Sequence, residues 1–164
     1  MAYNPILKQG LTTAYSSTER TTNTVSIPTG ATYEDVDSSG RVRKFVYQRN
    51  VSGATLAAGD CLVPGDEEGV TTPATATIGA RMPMYVAMCA MDDDDYGWFQ
   101  VAGVATVKVT ADGSAAAISD GSWLTMANGV TTLAVDASVY KGHALAMEAA
   151  VEDSSISALL PHSA

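Results

Sequence analysis

The chain is poor in the residues that usually carry chemistry. It has two histidines, His143 and His162, and neither stands near a cysteine or in a metal-ligand spacing, which argues against a zinc site. Nucleophilic catalysis needs a base beside Ser or Cys. His143, the one plausible base in the folded part, falls at a strand-start position matched by Met84 elsewhere in the chain. No Gly-rich phosphate loop, paired-carboxylate motif or nucleic-acid signature is present. The expectation is a non-enzyme with no cofactor and no metal. Two cysteines, Cys61 and Cys89, are too few for a disulfide framework. Both lie in apolar stretches, so buried free thiols are expected, with a bridge or a reactive site as the alternatives. Nine basic against eighteen acidic residues leave a net charge of −9, which argues against nonspecific nucleic-acid binding. The longest apolar run, Pro83 to Met91, is far short of the ~20 residues that cross a bilayer. No apolar secretory region follows Lys8. A soluble protein made in a host cytoplasm, with no membrane partner, is the reading. No window carries a helical period.

What is present is alternation. From Tyr96 to Thr110 the odd positions Phe99, Val101, Gly103, Ala105, Val107 and Val109 are apolar or glycine. Gln100, Thr106, Lys108 and Thr110 fall between them. That period predicts a strand with one face on a core and the other partly solvated. Gly103 in its middle predicts a bulge, a bend or a close backbone approach. Arg41 to Arg49 and Cys61-Leu62-Val63 read as earlier strands.

The chain also repeats itself. Gly69-Val70-Thr71-Thr72 recurs as Gly129-Val130-Thr131-Thr132, and Val86-Ala87-Met88-Cys89-Ala90 is answered by Leu145-Ala146-Met147-Glu148-Ala149. Asp60-Cys61-Leu62-Val63 is answered by Asp120-Gly121-Ser122-Trp123-Leu124, and Trp98-Phe99-Gln100-Val101 by Ile156-Ser157-Ala158-Leu159. Two copies are too few for a solenoid and suit a closed pair instead. The predicted fold is all-β, a small antiparallel β-sandwich or barrel built from two similar β units, about 53–104 and 113–161, with an extended N-terminal arm. Met88 and Met147 should both point inward on equivalent strands. Asp112-Gly113, Asp120-Gly121 and Asn128-Gly129 are turn dipeptides, and Asn128-Gly129 predicts a hairpin between Ser122–Met126 and Val130–Val135.

Residues 1–40 stand apart from the body, 41–164. From Leu11 to Thr32 eleven of twenty-two residues are Ser or Thr, too polar to form a core alone. The expectation is an arm that orders against a partner or the body, with a pair of polar edge strands as the alternative. Residues 1–50 carry net charge +2 against −11 for the rest. This leader could dock on an acidic neighbour; an acidic soluble surface without specific meaning is the plainer reading. Ile6, Leu7, Val25 and Ile27 are the candidate anchors of the arm, with Arg41 and Arg43 as candidate partner-binding residues. Asp92-Asp93-Asp94-Asp95 lacks the spaced ligands and glycine of a calcium loop and reads as a solvated acidic turn rather than a metal site. Trp98 and Trp123 are core or interface anchors, or else sugar-stacking platforms.

Several of these motifs, taken in order, resemble a known family. They are Gly59-Asp60-Cys61-Leu62-Val63, Tyr96-Gly97-Trp98-Phe99-Gln100-Val101-Ala102-Gly103, Gly121-Ser122-Trp123-Leu124, Asn128-Gly129-Val130, and the closing pair Ala144–Ala149 and Ile156–Pro161. Together, over about residues 53–161, they resemble the capsid decoration or cement proteins of tailed-phage heads. The resemblance implies a structural virion protein on the outer capsid surface. It implies a likeness to subunits that bridge major capsid proteins, often as a homotrimer, and it brings no catalytic residues. The rival reading is a receptor- or carbohydrate-binding β module of a phage head fibre or tail. Exposed aromatics around a groove would favour that rival, and buried tryptophans the cement protein.

Overall fold

The computed structural model describes residues 11–16, 27–65, 69–72, 83–110, 117–126, 130–135, 144–150 and 154–161. The fold is all-β, with no helix among the described residues. Ten strands follow one another: β1 (Thr32–Val36), β2 (Val42–Asn50), β3 (Cys61–Pro64), β4 (Gly69–Thr71), β5 (Tyr85–Ala87), β6 (Tyr96–Val109), β7 (Trp123–Met126), β8 (Leu133–Val135), β9 (Ala144–Ala146) and β10 (Ser154–Leu160). They form one sheet in the order β1-β2-β4-β3-β5-β6-β10-β9-β7-β8, and two further pairings, β2–β6 and β6–β8, fold that sheet back on itself.

Those pairings close two five-stranded rings. Ring 1 runs β2-β4-β3-β5-β6 and returns to β2. Ring 2 runs β6-β8-β7-β9-β10 and returns to β6. Each ring has one parallel pairing, β2–β4 in the first and β6–β8 in the second, and all its other pairings are antiparallel. Closure removes free sheet edges from both rings. β6 belongs to both: residues 96–102 pair with β2 and close ring 1, and residues 103–109 pair with β10 in ring 2.

Gly103 marks the change of ring. Its φ is +86°, and a Cβ there would stand 2.4 Å from the Val42 carbonyl oxygen. The pairing skips one residue beside it, since Phe45 opposes Gln100 and Lys44 opposes Ala102. This is a bulge, which bends a strand. Gln100, expected on the solvated face, is buried instead. Its Nε2 donates to the carbonyls of Ala102 (3.0 Å) and Val104 (2.9 Å), so the side chain satisfies acceptors along the bend.

Three buried clusters follow from this layout. Val46, Leu56, Leu62, Val70, Ala87, Cys89, Met91 and Phe99 fill ring 1. Ring 2 holds Ala105, Val107, Ile118, Leu124, Leu133, Ala144, Ala146 and Ala158, and that cluster continues into Cys61, Val63, Met84 and Val86. Leu62 and Ala87 point into ring 1, so their alternating neighbours Cys61, Val63 and Val86 point out of it. Ring 2 is therefore seated on the outer face of β3 and β5. The Cys61 N–H donates to the Thr131 carbonyl (2.7 Å), and the Lys108 N–H to Gly59 (2.9 Å), across that junction. Lys108 Nζ also reaches Asp60 Oδ1 at 2.8 Å.

The third cluster joins Phe45, Tyr47 and Trp98, on the outer side of β2 and β6, to Leu11 and Ile27 of the leader. Tyr15 and Tyr96 exchange two backbone hydrogen bonds of 2.8 Å. The Tyr47 and Trp98 rings meet edge to face at 5.4 Å. β1 pairs antiparallel with β2 from Thr32↔Val46 to Val36↔Val42, so residue 40 falls within a hairpin turn. Residues 11–16 and 27–40 thus lie on the body through pairing and aromatic contacts.

The register of the repeated motifs differs from the sequence reading. By pairing, Leu62 matches Leu124, Val70 matches Leu133, and Ala87 matches Ala146. Val70 therefore does not match Val130; the second Gly-Val-Thr-Thr copy lies ahead of β8, with Val130 and Thr131 outside any strand. β7 and β8 do form the expected hairpin, with Asn128-Gly129 outside the described residues. Met147 does not point inward: it is exposed, whereas Met88 packs partly buried beside Trp98. The lumen of ring 2 is lined by alanines at 144, 146 and 158, which leaves the larger Leu145 and Met147 on the outside.

Candidate interaction surface

The candidate partner residues separate. Ile6, Leu7 and Val25 lie outside the described residues. Ile27 is buried against the Phe45, Tyr47 and Trp98 cluster, which makes it a core side chain and takes it out of reach of a partner. Arg41 and Arg43 come together at the β1–β2 hairpin. Arg41 Nε reaches Asp37 Oδ2 at 2.8 Å, and Arg43 Nη2 reaches Asp35 Oδ2 at 2.9 Å. The Arg43 guanidinium also lies 5.5 Å from the Phe45 ring centre. The hairpin turn is tied by Asp37, whose Oδ1 accepts the Ser39 and Arg41 N–H groups. The Arg41 backbone N–H, ahead of the Arg41 guanidinium, holds the Asp37 carboxyl below its ordinary pKa.

Both arginines line a groove of about 470 Å³, together with Asp37, Val104, Ser155 and Ser157. Its floor is the bend of β6. Each guanidinium already has a carboxylate, so the groove offers hydroxyls and paired charge instead of a free cationic site.

The acidic run forms a tied corner. Asp92 Oδ1 accepts the Thr55 hydroxyl (2.9 Å), Asp93 Oδ1 the Gly53 N–H (2.9 Å), and Asp94 Oδ1 the Arg49 guanidinium (2.6 Å). Asp95 Oδ2 accepts the Asp92 N–H across the turn. Asp94 takes φ 68°, a conformation that Asp tolerates better than most residues. The four carboxylates thus diverge onto different partners. Among the described residues no group of three His, Cys, Asp or Glu side chains converges to hold a metal ion. His143 and His162 lie outside the described residues.

Both cysteines are free and buried. Burial pushes both thiols up, with Asp60 adding to the effect at Cys61 and Asp95 at Cys89. A thiol held neutral is a poor nucleophile.

One surface feature was not legible beforehand. On ring 2, Trp123 pairs with Leu145, Leu145 with Leu159, and Leu159 with Val104. Directly opposed residues share a face, so these four form one row across β7, β9, β10 and β6. Trp123 is 40% exposed, Leu159 41%, and Met147, two residues beyond Leu145 on the same face, 42%. The two tryptophans therefore differ. Trp98 is wholly buried, and its indole N–H has no hydrogen-bond partner among the described residues. Trp123 stands at the end of an exposed apolar row.

Comparison with solved structures adds one finding. The fold is similar to that of a phage head-fibre base. One solved structure that it matches is the N base of the head fiber gp8.5 in bacteriophage phi29, with a TM-score of 0.51 over 71% of this chain and 94% of that one. Identity is 16%, so the likeness to the gp8.5 base is one of fold. No family model matches the chain, and no curated protein matches its sequence.

Proposed function

We propose that the chain is a non-enzymatic structural protein of a phage virion. In this reading it binds the outer capsid face and stabilises the lattice by bridging major capsid subunits, as a homotrimer. The observation that carries the proposal is the fold likeness to a phage head-fibre base over 71% of the chain. The motif resemblance to decoration proteins over about residues 53–161 supports it independently. Two closed rings sharing one strand make a stiff body. Modest contacts repeated over a symmetric lattice gain through multivalency. The proposal includes a tandem origin for the rings, with units of about 53–104 and 113–161 in a body of 41–164, and a role in attachment for the leader, 1–40.

A second reading is a receptor- or glycan-binding module of a head fibre. Its specific support is Trp123, an exposed indole on a protein with a head-fibre fold. Against it, Trp123 is paired with Leu145, and Leu145 with Leu159, so the indole stands in an apolar row.

The test uses heads of the parent phage that lack this protein. Purified full chain should be retained through sedimentation in a saturable amount, and the loaded heads should lose DNA at a higher temperature. Absence of retention sinks the capsid reading, and specific hits on a glycan array would favour the second.

A further inference from the structure

Ring 2 leaves open the face that ring 1 buries. In ring 1, Cys61 pairs with Val86 and Val86 with Gln100, and all three are buried. Cys61 and Val86 owe their burial to ring 2, whose core cluster they join. The matching row in ring 2, by the same pairings, is Trp123, Leu145 and Leu159. Nothing among the described residues covers it, and Met147 extends it.

We propose that the row Trp123, Leu145 and Leu159, with Met147, is the surface on which a second copy of this chain docks. This deepens the self-association part of the proposed function and does not depend on the capsid part. Three observations favour a second copy. First, the template is internal: in ring 1 two members of the matching row, Cys61 and Val86, are covered by the other ring of this chain. Second, the row carries no charged side chain. Glu148, next to Met147 in the chain, accepts the Ser157 N–H. Third, the size fits the centre of an interface. Three strands at ~4.8 Å spacing make the row roughly 10 Å wide. Its exposed apolar area is on the order of 300 Å², the scale of functional patches. A stable interface buries about 800 Å² on each side, so the row supplies the apolar centre and its polar surroundings the rim.

Charge gives the proposal a distinctive readout. Two copies each carrying −9 repel one another, and salt screens that repulsion. Docking through an uncharged row should therefore strengthen as salt rises. Docking on a basic protein should weaken.

The experiment is sedimentation velocity on the purified full chain at tens of micromolar, at low salt and at ~0.15 M. The expected result is a species larger than the monomer that grows with salt. Trp123→Lys and Leu159→Lys should each raise the association midpoint at least tenfold while far-UV dichroism and the melt stay close to the parent. Val36→Lys, at another exposed apolar position on β1, should leave association unchanged. A parent chain that is monomeric at both salts overturns the proposal. So does association that the two row variants leave intact, or that falls with salt. If the monomeric parent still binds heads and Leu159→Lys abolishes that binding, the row is a capsid contact, and only the second-copy proposal fails.

Discussion

Gly103→Ala is the substitution that tests the architecture most directly. The new methyl would sit 2.4 Å from the Val42 carbonyl oxygen, 3.1 Å from Arg43 Cα and 3.2 Å from Arg43 Cγ. The first two contacts are backbone, and β2 is held there by its pairing with β6, so neither can swing aside. Two costs add. An L-residue at φ +86° costs roughly 1–2 kcal/mol. Forcing β2 outward is an overpacking strain of about 1–3 kcal/mol. The sum is about 2–5 kcal/mol, a large share of the ~5–15 kcal/mol that holds a domain together. Gly53→Ala separates the two costs, because Gly53 has φ +75° with nothing within 4 Å of its Cβ position. It should lose only the conformational part, about 1–2 kcal/mol. Urea titration at one fixed protein concentration reads both. In a chain of this size each kcal/mol shifts the melt by roughly 2–4 °C, so Gly103→Ala should melt on the order of 10 °C below the parent. If it is no more damaging than Gly53→Ala, β2 does not press on β6 at the bend, and the account of the shared strand is wrong.

Other outcomes follow from contacts already described. Lys108→Met removes the cation 2.8 Å from Asp60, whose side chain is 8% exposed, and should cost about 1–3 kcal/mol. A double-mutant cycle with Asp60→Asn should return a clear coupling energy, and additivity would mean that the pair contributes nothing. Ile27→Ala should cost about 2–5 kcal/mol, because Ile27 is buried beside Trp98. An unchanged melt would show that the leader does not belong to the folded unit. Neither thiol should react with a disulfide reagent at pH 8 until the chain unfolds. Their folded pKa values are raised, so above about pH 8.5 the unfolded chain ionises first. Stability from this source is therefore intact below that pH and falls as pH rises, and a urea midpoint flat across the alkaline range would contradict it.

The strand from Tyr96 was legible because its alternation is long, and Gly103 was legible as its break. Closure of the rings was not. β2 and β6 meet through residues about fifty positions apart, and such pairing leaves no local trace in a sequence. The repeated Gly-Val-Thr-Thr misled the register because the matching strands stand 63 residues apart at Val70 and Leu133 but 59 apart at Ala87 and Ala146. Loops of unequal length slide identical short motifs out of equivalence. The contacts of the leader were hidden for a different reason. Leu11 and Ile27 are single apolar residues in Ser/Thr-rich chain, and only the aromatic face beneath them makes them core. The exposed row was hidden by inverted sizes. In Ala144-Leu145-Ala146-Met147 the small residues face inward, while a sequence reading assigns the large ones to the core.

A strand counted in two rings leaves no place for a linker. In a two-domain chain, a few exposed residues absorb bending, and each half can open while the other stays closed. Here the covalent path between the halves is the bent centre of β6, paired on one side with β2 and on the other with β10. Thermal motion has no soft joint to collect in, and strain imposed on one ring enters the other through a hydrogen-bonded backbone. Opening either ring strips partners from the same strand, so the two should come apart together, in one calorimetric transition and not two.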